Sequence, residues 1–426
     1  MATLLKEVLK HQVYPAMGCT EPVSVALCAA NAAALVKGKI KKAIIFTDTA
    51  TFKNGLGVRI PNTKGEKGNL LAAAAGLILA NPQSGMEILK QVTPAVLKQA
   101  KELVKNKKVE VKIADKKDFY VQAEVETTDG QTAACVISGS HTNIALLKQN
   151  GKIIFKGKEV KKAPCSAFKE QLKKANLKTL LKEAQKADKE DLAYIKKGVI
   201  TNLAAAKEGE KLKKVGYYLD RLVQQDMLSK NIINSCKILA ARAADARMDG
   251  AAIPVMSSGE SGNQGIVAIL VPYQVGKQMK IKEETILKSI ALSHLLNGYV
   301  KCYTGELAPI CGCAIAAGVG AAAAITYQQK GADVKAISLA INNIISDIGG
   351  MLCDGAKSGC ALKVVSSVDS AIRAAFMGIN YYGITEVEGF VGKTAEQTIQ
   401  NLSRISTVGM VHVDNTIVDI MQDKTK

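Results

Sequence analysis

The chain has 426 residues, 48% of them hydrophobic and 22% charged, which is enough to bury a large core and to form more than one globular unit. Its formal net charge of +19 does not point to nucleic acid: of 57 basic residues only six are arginine, aromatics are 4% and tryptophan is absent, so arginine forks and stacking platforms are scarce. The opening MATLLKEVLKHQ lacks the apolar core and small-residue cleavage site of a signal peptide, so we expect a cytoplasmic protein with no membrane contact, whose ten cysteines form no disulfide framework.

Residues 3–12 and 22–38 read as helices around a turn from Gly18 to Pro22, because proline suits the first turn of a helix. Cys19 and Thr20 then stand at a helix start, where exposed amides favour a thiolate or a bound carboxylate. KAIIFTDTATF, 42–52, carries a strand pattern, and KNGLGVRIPNT, 53–63, a glycine-rich turn. Helical stretches follow at 69–80 and 85–106. Between 108 and 157, VEVKI, FYVQAEVETT, AACVISGS and KIIFKG alternate, with TDG and QNG as hairpin turns. Residues 158–190 are lysine-rich and helical in composition and read as a connection. From 191 onward the pattern is helical, rich in alanine and broken by glycine loops. The uncharged run 307–327 is long enough to span a bilayer, yet its alanine, glycine and Pro309 predict a buried helix instead. The expected fold is α+β: a small N-terminal α/β domain with antiparallel strands over 1–190, and a large, mostly helical domain over 191–426.

Half of the cysteines, namely Cys302, Cys311, Cys313, Cys353 and Cys360, lie between 302 and 360 without the paired spacing of a zinc ribbon. On a helix over 311–325, Cys311 and Cys313 face different sides, so only one reaches a common centre. On a continuous helix Cys353 and Cys360 would stand about 10 Å apart. Gly355 and Gly359 let CDGAKSGC fold back as a loop with its amides toward the sulfurs. Thiolates from a helix and a glycine loop suit an iron-sulfur cluster, and free thiols packed in an alanine-rich core are the alternative. A second group has the composition of a carboxylate cradle. DARMDGAAIPVMSSGESGNQGI, 245–266, offers amides and hydroxyls, SGSHTNI brings His141, Thr142 and Asn143 to a strand end, and FKNGLGVRIP adds Asn54 and Arg59.

With AMGCTEP, NGLGV, GSHTNI, DARM, SGESGNQG and CDGAKSGCALKV together, the sequence from about residue 12 to 420 resembles the L-cysteine desulfidase family, which is related to the catalytic subunit of iron-sulfur L-serine dehydratases. The resemblance implies a carbon-sulfur lyase that works without pyridoxal phosphate. It would release sulfide from L-cysteine by β-elimination, leaving pyruvate and ammonia, at the open iron of a 4Fe-4S cluster held by three cysteines. By the same resemblance Cys311, Cys353 and Cys360 are the ligands, while Cys302 and Cys313 have no counterpart. Ser261, Asn263 and Gln264, with Asn54, His141, Thr142 and Asn143, are expected to bind the substrate's carboxylate and amino group. Cys19 is expected to take the α-proton or to cap the open iron until substrate arrives. Relative to serine dehydratases, the stretch between the last two ligands is shorter and GCTEP replaces a Ser-His-Thr-x-Gly-Pro loop, which argues for the desulfidase. The other readings are an iron-sulfur L-serine dehydratase, a non-catalytic iron-sulfur sensor and a pyridoxal-phosphate lyase. The expected partner is a small amino acid, with a homo-oligomer left open.

Overall fold

A computed structural model describes residues 3–63, 65–116, 118–157, 164–305 and 308–424. Helix α1 (Leu4–Gln12) starts at Thr3, whose hydroxyl accepts from the Lys6 amide at 3.3 Å. After the short strand β1 (Pro15–Ala16), α2 (Thr20–Ala33) begins at Cys19, with Pro22 in its first turn as expected. Strand β2 (Ile40–Thr47) is shorter than the predicted run to residue 52. Asp48 is the reason: its carboxylate accepts from the Thr51 amide at 2.8 Å and the Thr51 hydroxyl at 2.6 Å, and so caps a helix, α3 (Thr49–Leu56), where a strand and a glycine turn were expected.

Helices α4 (Asn69–Leu79) and α5 (Pro94–Lys105) precede the strands β3 (Val109–Ile113), β4 (Tyr120–Thr127), β5 (Thr132–Ser138), β6 (Ile144–Gln149) and β7 (Lys152–Lys156). The sheet order is β3-β2-β4-β5-β6-β7. All its pairs are antiparallel except β2 with β3, which run parallel because α3, α4 and α5 intervene as a crossover. One face of the sheet is covered by α2, whose Cys28 thiol donates to the Val121 and Cys135 carbonyls at 3.5 and 3.3 Å.

The chain then turns helical: α6 (Pro164–Lys174), α7 (Leu177–Gln185), α8 (Lys189–Gly209), α9 (Val215–Gln224) and α10 (Ile232–Met248), followed by strand β8 (Val255–Met256). Beyond it lie α11 (Gly262–Gln278), α12 (Glu283–Thr304), α13 (Ala316–Lys330), α14 (Val334–Ile348), α15 (Cys360–Ile379), α16 (Ala395–Arg404) and α17 (Val413–Asp423). Helix α13 is buried from Ala316 to Gln328 among α11, α12, α14 and α15. Its small residues allow that: a Cβ at Gly320 would stand 2.5 Å from the Ser293 carbonyl oxygen of α12. Among the described residues no helix is long and apolar enough to cross a membrane.

Two large apolar clusters sort the elements by packing rather than by chain order. One joins α2, α4, α5 and the sheet through residues such as Val25, Ala74, Leu97 and Val121. The other joins the C-terminal helices with Leu5 and Val8 of α1 and with Leu177, Leu180 and Leu181 of α7. The expected connection at 158–190 therefore contributes a packed helix, although 158–163 lie outside the described residues.

Candidate active site

Strand β1 pairs with β8, Pro15 opposite Met256 and Ala16 opposite Val255. The Tyr14 amide donates to the Ser257 hydroxyl, and the Ser257 amide to the Tyr14 carbonyl, each at 2.9 Å. This short ladder brings two distant segments side by side, Gly18 to Glu21 and the cradle at 257–264. A third segment comes from the cysteine group. Ile310 and Leu352 form an antiparallel bridge, the Cys311 amide donates to the Met351 carbonyl at 2.8 Å and the Cys353 amide to the Pro309 carbonyl at 2.6 Å. Cys311 and Cys353 thus stand on neighbouring extended segments, not on a helix over 311–325, because α13 begins only at Ala316. The predicted fold-back of CDGAKSGC is present. Gly355, with φ +90°, allows it, and the Cys360 sulfur takes a 3.4 Å hydrogen bond from the Lys357 amide at the head of α15.

These segments enclose a cavity of about 110 Å³ lined by Cys19, Asn54, His141, Ser261, Asn263, Gln264, Cys311, Cys353 and Cys360. Cys313 lines it as well, whereas Cys302 does not. Thr142 and Asn143 miss it, contrary to expectation: Thr142 is exposed, and Asn143 turns back to donate to the Ser138 carbonyl at 2.9 Å. In so tight a turn only one of three consecutive side chains reaches the cavity. Arg59 also lies elsewhere, paired with Asp249.

Residues that were not singled out complete the wall: Glu21, Lys53, Arg247, Glu260, Lys301 and Lys363. Lys53 is 1% exposed, and its ammonium reaches the Cys353 carbonyl at 2.8 Å and Asp414 of α17 at 2.6 Å. Lys363 donates to the Leu352 carbonyl at 2.6 Å and pairs with Asp354, so the segment that carries Cys353 is held by two cations. Arg247 ends α10, and its Nη2 donates to the Gly18 carbonyl at 2.8 Å. Glycine at 262 leaves room for its guanidinium, which a Cβ would strike. Glu21 accepts from the Asn54 amide nitrogen at 3.1 Å.

Five polar atoms on this wall are buried without a hydrogen-bond partner: Asn54 Oδ1, His141 Nε2, Arg247 Nε, Asn263 Oδ1 and Gln264 Oε1. Buried groups in this state are costly, and their gathering on one cavity marks a place for a polar ligand. The N-termini of α2, α11 and α15 open toward the same space through Thr20, Asn263 and Cys360. Together with four cations they make it favourable to anions.

Cys19 departs from the expected ease of ionisation. Burial pushes its thiol up to about 12, and although Arg247 pulls the other way, Glu21 and Cys360 add to the rise. Burial likewise raises Cys353 and Cys360. Cys311 is drawn down to about 6 by the hydrogen bond from Cys313, which itself is pushed up by the same contact. Among the described residues no three His, Cys, Asp or Glu side chains gather around one point closely enough for a single metal ion.

The serine dehydratase alpha chain profile matches residues 73–419. The chain is 66% identical over 424 residues to a UPF0597 protein of Elusimicrobium minutum, covering 99% of this chain and 100% of that protein. It is 51% identical over 424 residues to a UPF0597 protein of Geobacter sulfurreducens, 99% of either chain. A UPF0597 protein of Clostridium tetani is 38% identical over 422 residues, 99% of this chain and 98% of that one. No solved structure matches. A match over most of the chain, which takes in Cys311, Cys353 and Cys360 of the cavity, makes this chain a member of the serine dehydratase alpha chain family.

Proposed function

We propose that this chain is a lyase that eliminates the β-substituent of a small L-amino acid, with L-cysteine as substrate and sulfide, pyruvate and ammonia as products. The observation that carries the proposal is the meeting of Cys311, Cys353 and Cys360 with five unpartnered polar atoms in one cation-rich cavity. Three soft thiol donors beside free amides and cations suit a 4Fe-4S cluster, whose ligands surround a body several atoms across and need not converge on a point. Held by Cys311, Cys353 and Cys360, such a cluster would supply a Lewis acid for the leaving sulfur.

The chain's own groups account for the rest. Arg247 and the first turn of α11, with Ser261, Asn263 and Gln264, hold the carboxylate. Glu21 and Glu260 face the ammonium. Cys19 Sγ and His141 Nε2 are the acceptors available for the α-proton. Burial keeps the Cys19 thiol protonated at rest, so acceptance there depends on the adjacent Arg247 charge, while His141 Nε2 has no partner to displace. Loss of the α-proton with cleavage of the Cβ–S bond leaves aminoacrylate, which tautomerises and hydrolyses in water.

The family match supports L-serine as a second substrate reading. Anaerobically purified protein, given each amino acid, separates the two by sulfide and pyruvate assay. Sulfide with pyruvate from L-cysteine is expected, and pyruvate from L-serine alone would overturn the cysteine assignment. In deuterated water Cys19→Ala is expected to lose α-hydrogen exchange while keeping iron. If exchange persists there and vanishes in His141→Asn, the base is His141.

A further inference from the structure

The cysteine cavity shares Thr20, His141 and Glu260 with a second, larger cavity of about 600 Å³. Ser140 and Thr142, which line this outer chamber, are exposed, so it meets solvent where the inner wall is mostly buried. We infer that the amino acid reaches the cysteine cavity through the outer chamber, and that Glu260, His141 and Thr20 form a neck that selects its ammonium group. The identity of the passing molecule rests on the proposed function, whereas the path does not.

Glu260 is built for such a position. It is a non-glycine residue at φ +65°, a conformation that persists only where neighbours enforce it and that concentrates at ligand sites. Here a tight turn closed by the Ser258–Ser261 bridge sets that φ, and two other elements hold the turn: the Glu260 amide donates to the Gln12 carbonyl of α1 at 3.1 Å, and its carboxylate pairs with Lys169 of α6 at 3.1 Å. His141 lines both cavities as well. The Ser24 hydroxyl donates to the His141 carbonyl, the ring leans on Phe119 with centroids 4.5 Å apart, and Nε2 is buried without a partner. An acidic group therefore stands at the neck, while Arg247 and Lys301 line the inner cavity alone. A zwitterion that passes carboxylate first comes to rest with its carboxylate at Arg247 and its ammonium at Glu260, the placement of the proposed reaction.

Cys19 reports on the path because it lines the inner cavity and is not one of the three thiols proposed to hold the cluster. The full-length protein, purified anaerobically, is treated with an aminoethyl or a sulfonatoethyl methanethiosulfonate, and modification of the Cys19 peptide is followed by mass spectrometry. Ser140→Trp and Thr142→Trp place bulk in the chamber at exposed positions. Each is expected to slow labelling by both reagents several-fold at an unchanged melting temperature, and unchanged labelling in both would overturn the path. Glu260→Gln is expected to lower the preference for the ammonium reagent about tenfold, and Lys169→Met to raise it. An unaltered preference in both variants would overturn the neck. A wrong reaction assignment shows itself differently, as missing products with these labelling rates intact.

Discussion

Replacing Lys53 by methionine tests whether one buried cation holds both the cysteine loop and the C-terminal helix. The two contacts of its ammonium, 2.8 Å to the Cys353 carbonyl and 2.6 Å to Asp414, reach elements 300 and 361 positions away in sequence. Methionine keeps the length and apolar stem but leaves both acceptors without a donor. Breaking a buried pair by removing one member costs about 3–5 kcal/mol. The Asp414 side chain is 19% exposed and keeps some water, so we expect the lower end, about 3 kcal/mol. Asp414→Asn leaves the Cys353 contact and an acceptor in place, and should cost about 1–2 kcal/mol. The double variant should then lose less than the two single losses added, by a coupling of about 1–3 kcal/mol. Urea unfolding of the four proteins measures each quantity, and trypsin should release α17 sooner from Lys53→Met than from the parent. Additive losses, or an unchanged urea midpoint in Lys53→Met, would refute the argument.

Other expectations follow from the same cavity and its surroundings. Arg247→Lys keeps the charge but loses the fork that reaches Gly18, so kcat/KM for the proposed reaction should fall about 10- to 100-fold with iron content unchanged, a loss that kinetics and iron analysis separate. Cys353→Ser should lose most iron and Cys302→Ser none, since only the former lines the cavity; anaerobic iron and labile-sulfide analysis decides. Asp245, pushed up to about 6 by burial, favours the folded state most below about pH 4, where it is protonated in both states, and loses that contribution as the pH rises through 6. Asp245→Asn can still accept from the Gly216 amide, so its urea midpoint should gain on the parent's between pH 4 and 7, and a gap that does not widen counts against a protonated Asp245.

Local patterns were enough to read the α+β class and the fold-back at Gly355, because caps, glycine conformations and strand alternation act over a few residues, whereas the choice of Cys311, Cys353 and Cys360 rested on the family resemblance. What local patterns could not reveal was burial. Lys53 is one of many lysines, and nothing nearby distinguishes it from a solvated one; only the approach of α17 and the cysteine loop does. Asp48 did carry a legible signal, an aspartate three residues before a threonine, but the β-branched run around it read more strongly as strand. Arg247 lay within the quoted DARM, and as one of few arginines, next to a glycine-rich cradle, it was the cation most open to detection.

Cys19 shows how location and chemical state separate. Its place at a helix start was legible from Gly18 and Pro22, and a helix terminus favours a thiolate by about 0.3–1 kcal/mol, up to about 2 in buried settings. Exclusion of water acts against this, and a thiol raised from an ordinary value near 9 to about 12 has met an opposing effect of about 4 kcal/mol net. The larger effect wins, and it is the one that requires the full tertiary structure. Since Arg247 is the principal group opposing it, the reactivity of Cys19 belongs to the pair. An Arg247 variant that preserves iron should therefore impair Cys19 as well as the carboxylate site, whereas Ser261, Asn263 and Gln264 variants should weaken substrate binding alone.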